Sequence, residues 1–223
     1  MNDYTAARHN MVESQIRPNQ VTDARLLRAL MEVPRENFVP ASLRALAYME
    51  QEIPLKPPRH GMPERCLLQP MPLARLIQLA EVDPGDLVLD VGCATGYSTA
   101  ILSRLAESVV GLECDQGLAE LASQTLMELE ADNAAVVTGA LPDGYASEGP
   151  FDVILLNGSV PEVPEALLGQ LKDGGSLVAI IAAHGVGRAT LYRTSAGRVS
   201  HRPAFDAGGP PLPGFETKKE FVF

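Results

Sequence analysis

The sequence predicts an α/β fold: a mostly parallel sheet with helices on both faces, antiparallel strands at one edge, and a helical, proline-rich N-terminal segment. Three observations predict it. From residue 85 to residue 183, short apolar runs alternate with amphipathic stretches, as in strand–helix–strand units with a covered sheet. Beyond residue 187 the strand-like runs are joined by Gly/Pro-rich turns rather than helices. Ten of the 18 prolines precede residue 85, and proline breaks helix interiors and strand ladders. The first part is therefore expected as short helices and connecting loops over 1–84, packed on a core domain over 85–223.

Helices are predicted over 3–16, 22–31, 40–47 and 72–80. The second starts at Thr22 or Asp23 and carries Leu26, Leu27, Leu30 and Met31 at helical spacing. The stretch 53–71, IPLKPPRHGMPERCLLQPM, shows no period and reads as a long ordered loop, a kind of segment that is often functional. Asp83-Pro84-Gly85 marks a turn. A buried strand over 87–91, a helix over 97–106 and a strand over 109–113 follow. A helix over 116–130 places Leu118, Leu121, Ala122, Thr125 and Leu129 on one face. Strands over 134–138 and 151–157, a helix over 164–171 and a strand over 176–183 complete the alternating part. Edge strands are expected over 188–194, 198–205 and 217–222.

The 223 residues, 46% of them hydrophobic, suffice for one ordinary core, or a core with a small subdomain. Acidic residues number 28 against 18 basic, a formal charge of −10 with a pI near 4.9. Such a surface repels phosphate backbones, so nucleic acid is not expected as a partner. MNDYTAARHN lacks the apolar core of a signal peptide. No apolar run approaches the ~18 residues of a membrane span, so no membrane is expected and a cytoplasmic home is. Cys66, Cys93 and Cys114 are far apart and His9, His60, His184 and His201 are scattered. Neither a disulfide framework nor a metal site is expected.

The loop after the 87–91 strand carries the chemistry. In LVLDVGCATGY the dinucleotide fingerprint would need glycines at 92, 94 and 97, but the residues are Gly92, Ala94 and Tyr97. Asp90, Gly92, Ala94 and Gly96 instead follow acid-x-Gly-x-small-x-Gly, the spacing of the first motif of S-adenosylmethionine (SAM)-dependent methyltransferases. Gly92 and Gly96 let backbone approach a ligand closely, and Asp90 can meet an amino group. Glu113, at the end of SVVGLE, is placed to accept hydrogen bonds from both ribose hydroxyls of an adenosine. No phosphate-binding GxxxxGK[ST] loop, GxSxG elbow or HExxH pair is present.

MVESQIRPNQVTDARLLRALMEVPRENFVP (11–40), AYMEQEIPL (47–55), the glycine loop and PFDVILLNGSVPEVPEALLGQLKDGG (150–175) together resemble the protein-L-isoaspartate O-methyltransferase family. The resemblance implies a Rossmann-like methyltransferase sheet, SAM as methyl donor, and the carboxylate of isoaspartyl residues in damaged proteins or peptides as acceptor. It implies a cofactor cradle of Asp90, Gly92, Cys93, Ala94, Gly96, Tyr97, Glu113, Cys114, Ala140 and Leu141. Two departures stand out. The family has Gly-Asp where this chain has Gly139-Ala140. The family's substrate loop, Gly-Gln-Thr-Ile-Ser-Gln-Pro, corresponds to Glu64-Arg65-Cys66-Leu67-Leu68-Gln69-Pro70. Cys66 and Leu68 thus replace the two hydroxyls that aim an acceptor oxygen, with Leu67, Gln69 and Pro70 beside them as substrate residues. Weak or absent isoaspartyl methylation, despite SAM binding, is therefore expected. Two functions stay open on these residues: a methyltransferase of this family, or a SAM-binding member that acts as a binding protein or on another acceptor.

Overall fold

The computed structural model describes residues 3–59, 62–182 and 186–216. Helix α1 (Tyr4–Met11) begins where the Asp3 carboxylate accepts the Ala6 amide at 3.0 Å, an N-cap that fills one of the orphan donors of a helix start. The predicted 3–16 helix does not stay α: it widens to a π-turn over Val12–Ile16 and tightens to a 3₁₀ turn over Arg17–Asn19. Asp23, not Thr22, caps α2 (Ala24–Glu32) by accepting the Arg25 and Leu26 amides. The expected 40–47 helix is 3₁₀ over Ala41–Leu46.

The segment expected as a loop over 53–71 holds two short strands. β1 (Ile53–Lys56) and β2 (Arg65–Leu67) pair antiparallel, with Ile53 opposite Leu67 and Lys56 opposite Arg65. Helix α3 (Pro70–Ala80) starts two residues before its predicted start because Pro70 is at the first helical turn, where its missing N–H costs nothing.

The main sheet contains β3 (Leu87–Val91), β4 (Ser108–Glu113), β5 (Ala134–Thr138), β6 (Phe151–Val160), β7 (Leu171–Ile181), β8 (Arg188–Ser195) and β9 (Arg198–Asp206). Their order is β5-β4-β3-β6-β7-β8-β9. The strands through β7 run parallel, and β8 and β9 add antiparallel at the edge. The strand expected over 217–222 lies outside the described residues. Helix α4 (Tyr97–Leu102) is shorter than its predicted span, and α6 is one turn, Glu165–Leu168. There β7 takes over at Leu171, which pairs with Phe151.

Side chains alternate across the strands. Val88, Val109, Val153, Leu155, Val178 and Ile180 face one way, into a cluster shared with Met11, Ile16, Leu26, Leu30, Phe38 and Leu76 of the N-terminal helices and α3. Leu89, Val91, Leu112, Ile154, Leu156 and Leu177 face the other way, toward Leu141, Leu167, Leu212 and Phe215. Helix α5 (Gln116–Glu128) buries Leu118, Ala119, Ala122 and Leu126, while Leu121, expected on its inner face, is 51% exposed.

After β9 the chain crosses the carboxyl ends of the sheet. The Ser159 amide donates to the Pro210 carbonyl (2.8 Å), the Leu212 amide donates to the Ser159 carbonyl (2.9 Å), and Ser159 Oγ donates to the Gly209 carbonyl (2.8 Å). These bonds lay residues 209–212 beside the end of β6, where its register with β7 shifts. Among the described residues no helix is long and apolar enough to cross a membrane.

Candidate active site

The strand order reverses at β3: the connection from β3 leads outward through β4 to β5, and the chain returns to pair β6 on the other side. Open α/β sheets form a crevice at the carboxyl ends of such neighbours. The glycine loop and Glu113 both lie there. Gly92 and Cys93 send their amides to the Leu112 carbonyl at 2.8 and 3.2 Å, which locks the loop to β4. Gly92, Ala94 and Gly96 adopt left-handed φ values of 78°, 53° and 90°. Glycine takes such values without strain, alanine does not.

Asp90 is buried on the α4 side of β3. Its Oδ2 accepts Ser98 Oγ at 2.6 Å and Thr99 Oγ1 at 2.7 Å, and Asn157 Nδ2 of β6 donates to Ser98 Oγ at 2.6 Å. Asp90 Oδ1 and Asn157 Oδ1 have no donor. Burial pushes the Asp90 carboxyl up to about 6, against the Ser98 and Thr99 hydrogen bonds, and the Glu113 carboxylate adds to the rise.

Glu113 is 0% exposed and its acceptor positions are filled from within the chain. Oε2 takes the Arg65 Nη2 donor at 2.6 Å and the Ala94 amide at 2.8 Å. Oε1 takes the Cys114 and Asp115 amides at 3.0 and 3.1 Å and lies 3.3 Å from Cys114 Sγ. Arg65 also reaches the Gly92 carbonyl at 3.3 Å. Beside it, Lys56 of β1 pairs with Asp115, the residue whose carboxylate caps α5 through the Leu118 amide at 3.0 Å. Each strand of the β1–β2 ribbon thus sends one cation to the end of β4.

The glycine cradle is filled as well. A Cβ built on Gly92 would lie 2.6 Å from Leu212 Cδ2 and 3.6 Å from Leu141 Cδ1, and one on Gly158 would lie 2.8 Å from Leu212 Cδ2. Residues 91–100 are buried throughout.

The structure brings Asp90, Gly92, Ala94, Gly96, Glu113, Cys114 and Leu141 to this crevice. Cys93 turns away, its Sγ 3.1 Å from where a Cβ on Gly111 would stand. Tyr97 lies in the opposite core, its ring 5.4 Å from Phe38 and 4.7 Å from the Arg35 guanidinium. Ala140 is exposed before the buried Leu141. Leu67 and Leu68 are each 1% exposed in the core shared with the N-terminal helices. Sequence reasoning sets Leu68 against an acceptor; here its side chain is packed away and only its carbonyl is engaged, by Arg35 Nη2 at 2.6 Å. Gln69 stands at the position before α3 with no side-chain bond to the helix start, and Pro70 is buried behind it. Burial pushes Cys66 up to about 11, helped by Glu64 and Glu52, and pushes Cys114 up to about 12, helped by Glu113. Neither is a thiolate at neutral pH.

Arg65, Leu212, Ser98, Thr99 and Asn157 were missed by sequence reasoning. Arg65 had one signal: it is the cation between Pro63 and Pro70, in an otherwise apolar RCLL run. Leu212 had none, because PPLPGF has no period. Among the described residues no cluster suits a metal ion.

A model of the protein-L-isoaspartate(D-aspartate) O-methyltransferase family matches residues 6–204. A protein-L-isoaspartate O-methyltransferase of Koribacter versatilis is 35% identical over 93% of this chain and 90% of its own length. One of Yersinia enterocolitica is 39% identical over 74% of this chain and 76% of its own length. A solved protein-L-isoaspartate O-methyltransferase superposes with a TM-score of 0.80 at 25% identity, over 93% of this chain and 66% of that one. A Plasmodium falciparum structure assigned to the same family, in complex with S-adenosyl-L-homocysteine, shares the fold with a TM-score of 0.74 at 20% identity, over 95% and 99% of the two chains.

Proposed function

This chain belongs to the protein-L-isoaspartate(D-aspartate) O-methyltransferase family, and from that membership we propose that it methylates the free carboxylate of isoaspartyl residues in damaged proteins or peptides. It is a SAM-dependent carboxyl methyltransferase. The observation that carries this reading is the family match over 6–204, which spans the N-terminal segment as well as the methyltransferase sheet. The placement of Gly92, Gly96 and Glu113 at one crevice supports it.

The acceptor asks little proton chemistry of the protein. A carboxylate with an ordinary pKa near 4 is ionised at neutral pH, so no general base is required and the enzyme's work is positioning. The site agrees: its thiols are protonated, and its carboxylates are tied up in hydrogen bonds.

The residues of the crevice only partly suit the methyl donor as they are arranged. The donorless Asp90 Oδ1 and Asn157 Oδ1 suit an amino group. Glu113 has no acceptor position left for ribose hydroxyls, and Leu212 fills the space over Gly92. In this arrangement the nucleoside end does not fit.

The test is transfer of labelled methyl from SAM to an isoaspartyl peptide, with the aspartyl peptide of the same sequence as control. An alkali-labile ester on the isoaspartyl peptide alone is expected. No ester, or equal labelling of both peptides, overturns the reading.

A further inference from the structure

The mismatch at Glu113 has a specific form. A carboxylate offers about four lone-pair positions, and here all are used: two by Arg65 and the Ala94 amide on Oε2, two by the Cys114 and Asp115 amides on Oε1. The three amides belong to the loop and turn that shape the crevice. Arg65 is the one donor that arrives on a side chain from a distant part of the sequence, and the one that can leave without unfolding the loop.

Its own surroundings point the same way. Arg65 is 3% exposed, yet its Nε and Nη1 have no partner. A buried guanidinium with unused donors is held mainly by its charge partner, not by a full hydrogen-bond set. Arg65 fills an acceptor position of Glu113, a carboxylate whose place at the end of β4 suits ribose hydroxyls.

We propose that Arg65 is an internal occupant of the ribose subsite, so that the nucleoside end of the methyl donor binds to Glu113 by exchange with the Arg65 guanidinium. This rests on the methyltransferase reading. It makes Arg65 the residue that sets cofactor affinity, a role that composition and spacing do not reveal. Leu212, seated over Gly92 and Gly158, borders the same crevice.

The experiment measures S-adenosyl-L-homocysteine binding to the full chain by calorimetry. Arg65→Gln removes the charge and keeps most of the side-chain length. A hydrogen bond to a charged group is worth enough that its loss from the competing state should tighten binding about 10-fold or more. Arg65→Gln with Glu113→Gln should lose that gain, because the acceptor itself is weakened. Equal or weaker binding by Arg65→Gln than by wild type overturns the proposal. So does binding by the double variant as tight as by Arg65→Gln, and so does an absence of binding in every protein. These readouts are independent of turnover. Tightened binding without ester formation on an isoaspartyl peptide would sink the function and leave the exchange standing.

Discussion

Asp90 shows how far a single residue can be read. Its place before the glycine loop marks it as a functional carboxylate in the sequence. What the sequence hides is its burial beneath Ser98, Thr99 and Asn157, because that depends on where α4 and β6 come to rest. With the folded pKa raised to about 6 from an unfolded value near 3.9, the folded state holds the proton more tightly. The stability this group contributes is full below about pH 4 and is lost as pH rises through about 6. The loss amounts to about 2–3 kcal/mol. Asp90→Asn removes the titration at nearly constant volume. Its stability relative to wild type should therefore improve by about that amount between pH 4 and pH 7, read from urea midpoints. Parallel curves for the two proteins would show that Asp90 is not a buried, proton-binding carboxylate.

At the scale of elements, legibility followed the strength of local signals. Asp23 and Asp115 start helices that the sequence places to within a few residues, since a cap is a local event. The inner face of α5 was read from its leucines. The structure instead sets Ala119 inward and Leu121 outward, a rotation decided by close packing on β4 and β5. The β1–β2 ribbon was illegible: its strands are four and three residues long, broken by Pro54 and separated by an aperiodic stretch. Pairing between distant short segments leaves no period to detect. That miss also hid Arg65. The ribbon's other cation tests the element. Burial works against the charge of Asp115, but the Lys56 bond and the α5 amides outweigh it and hold its pKa below the ordinary value. Its contribution is thus present above about pH 4 and is lost as pH falls further. Asp115→Ala removes both the cap and the ion pair and should cost about 1–2 kcal/mol at pH 7. Lys56→Met keeps the cap and should cost less than about 1 kcal/mol. Equal losses from the two substitutions in thermal melts would mean that Asp115 is not capping α5.

The whole molecule is held together across the division that the proline density suggests. One apolar cluster runs from Met11, Leu26 and Phe38 to Val88, Leu155 and Val178 of the sheet, so the N-terminal segment is the cover for one sheet face. A sheet face stripped of that cover would expose its apolar side chains to water. Arg35 fastens the cover at its centre. It is 0% exposed, donates from Nε to the Ala47 carbonyl at 2.7 Å and from Nη2 to the Leu68 carbonyl at 2.6 Å, and lies over the Tyr97 ring. Burial lowers its pKa, with Tyr97 and Glu50 opposing. Arg35→Ala leaves two buried carbonyls without donors and opens a cavity, which together should cost about 3–5 kcal/mol. The form of the loss discriminates between one cooperative unit and two. In one unit, far-UV dichroism and the tyrosine near-UV signal move together, and the substitution shifts a single transition to lower urea. If 1–84 instead melts on its own, wild type shows two transitions and Arg35→Ala displaces only the first. The shared cluster, with Arg35 bonded to the residue that leads into α3, favours the single transition.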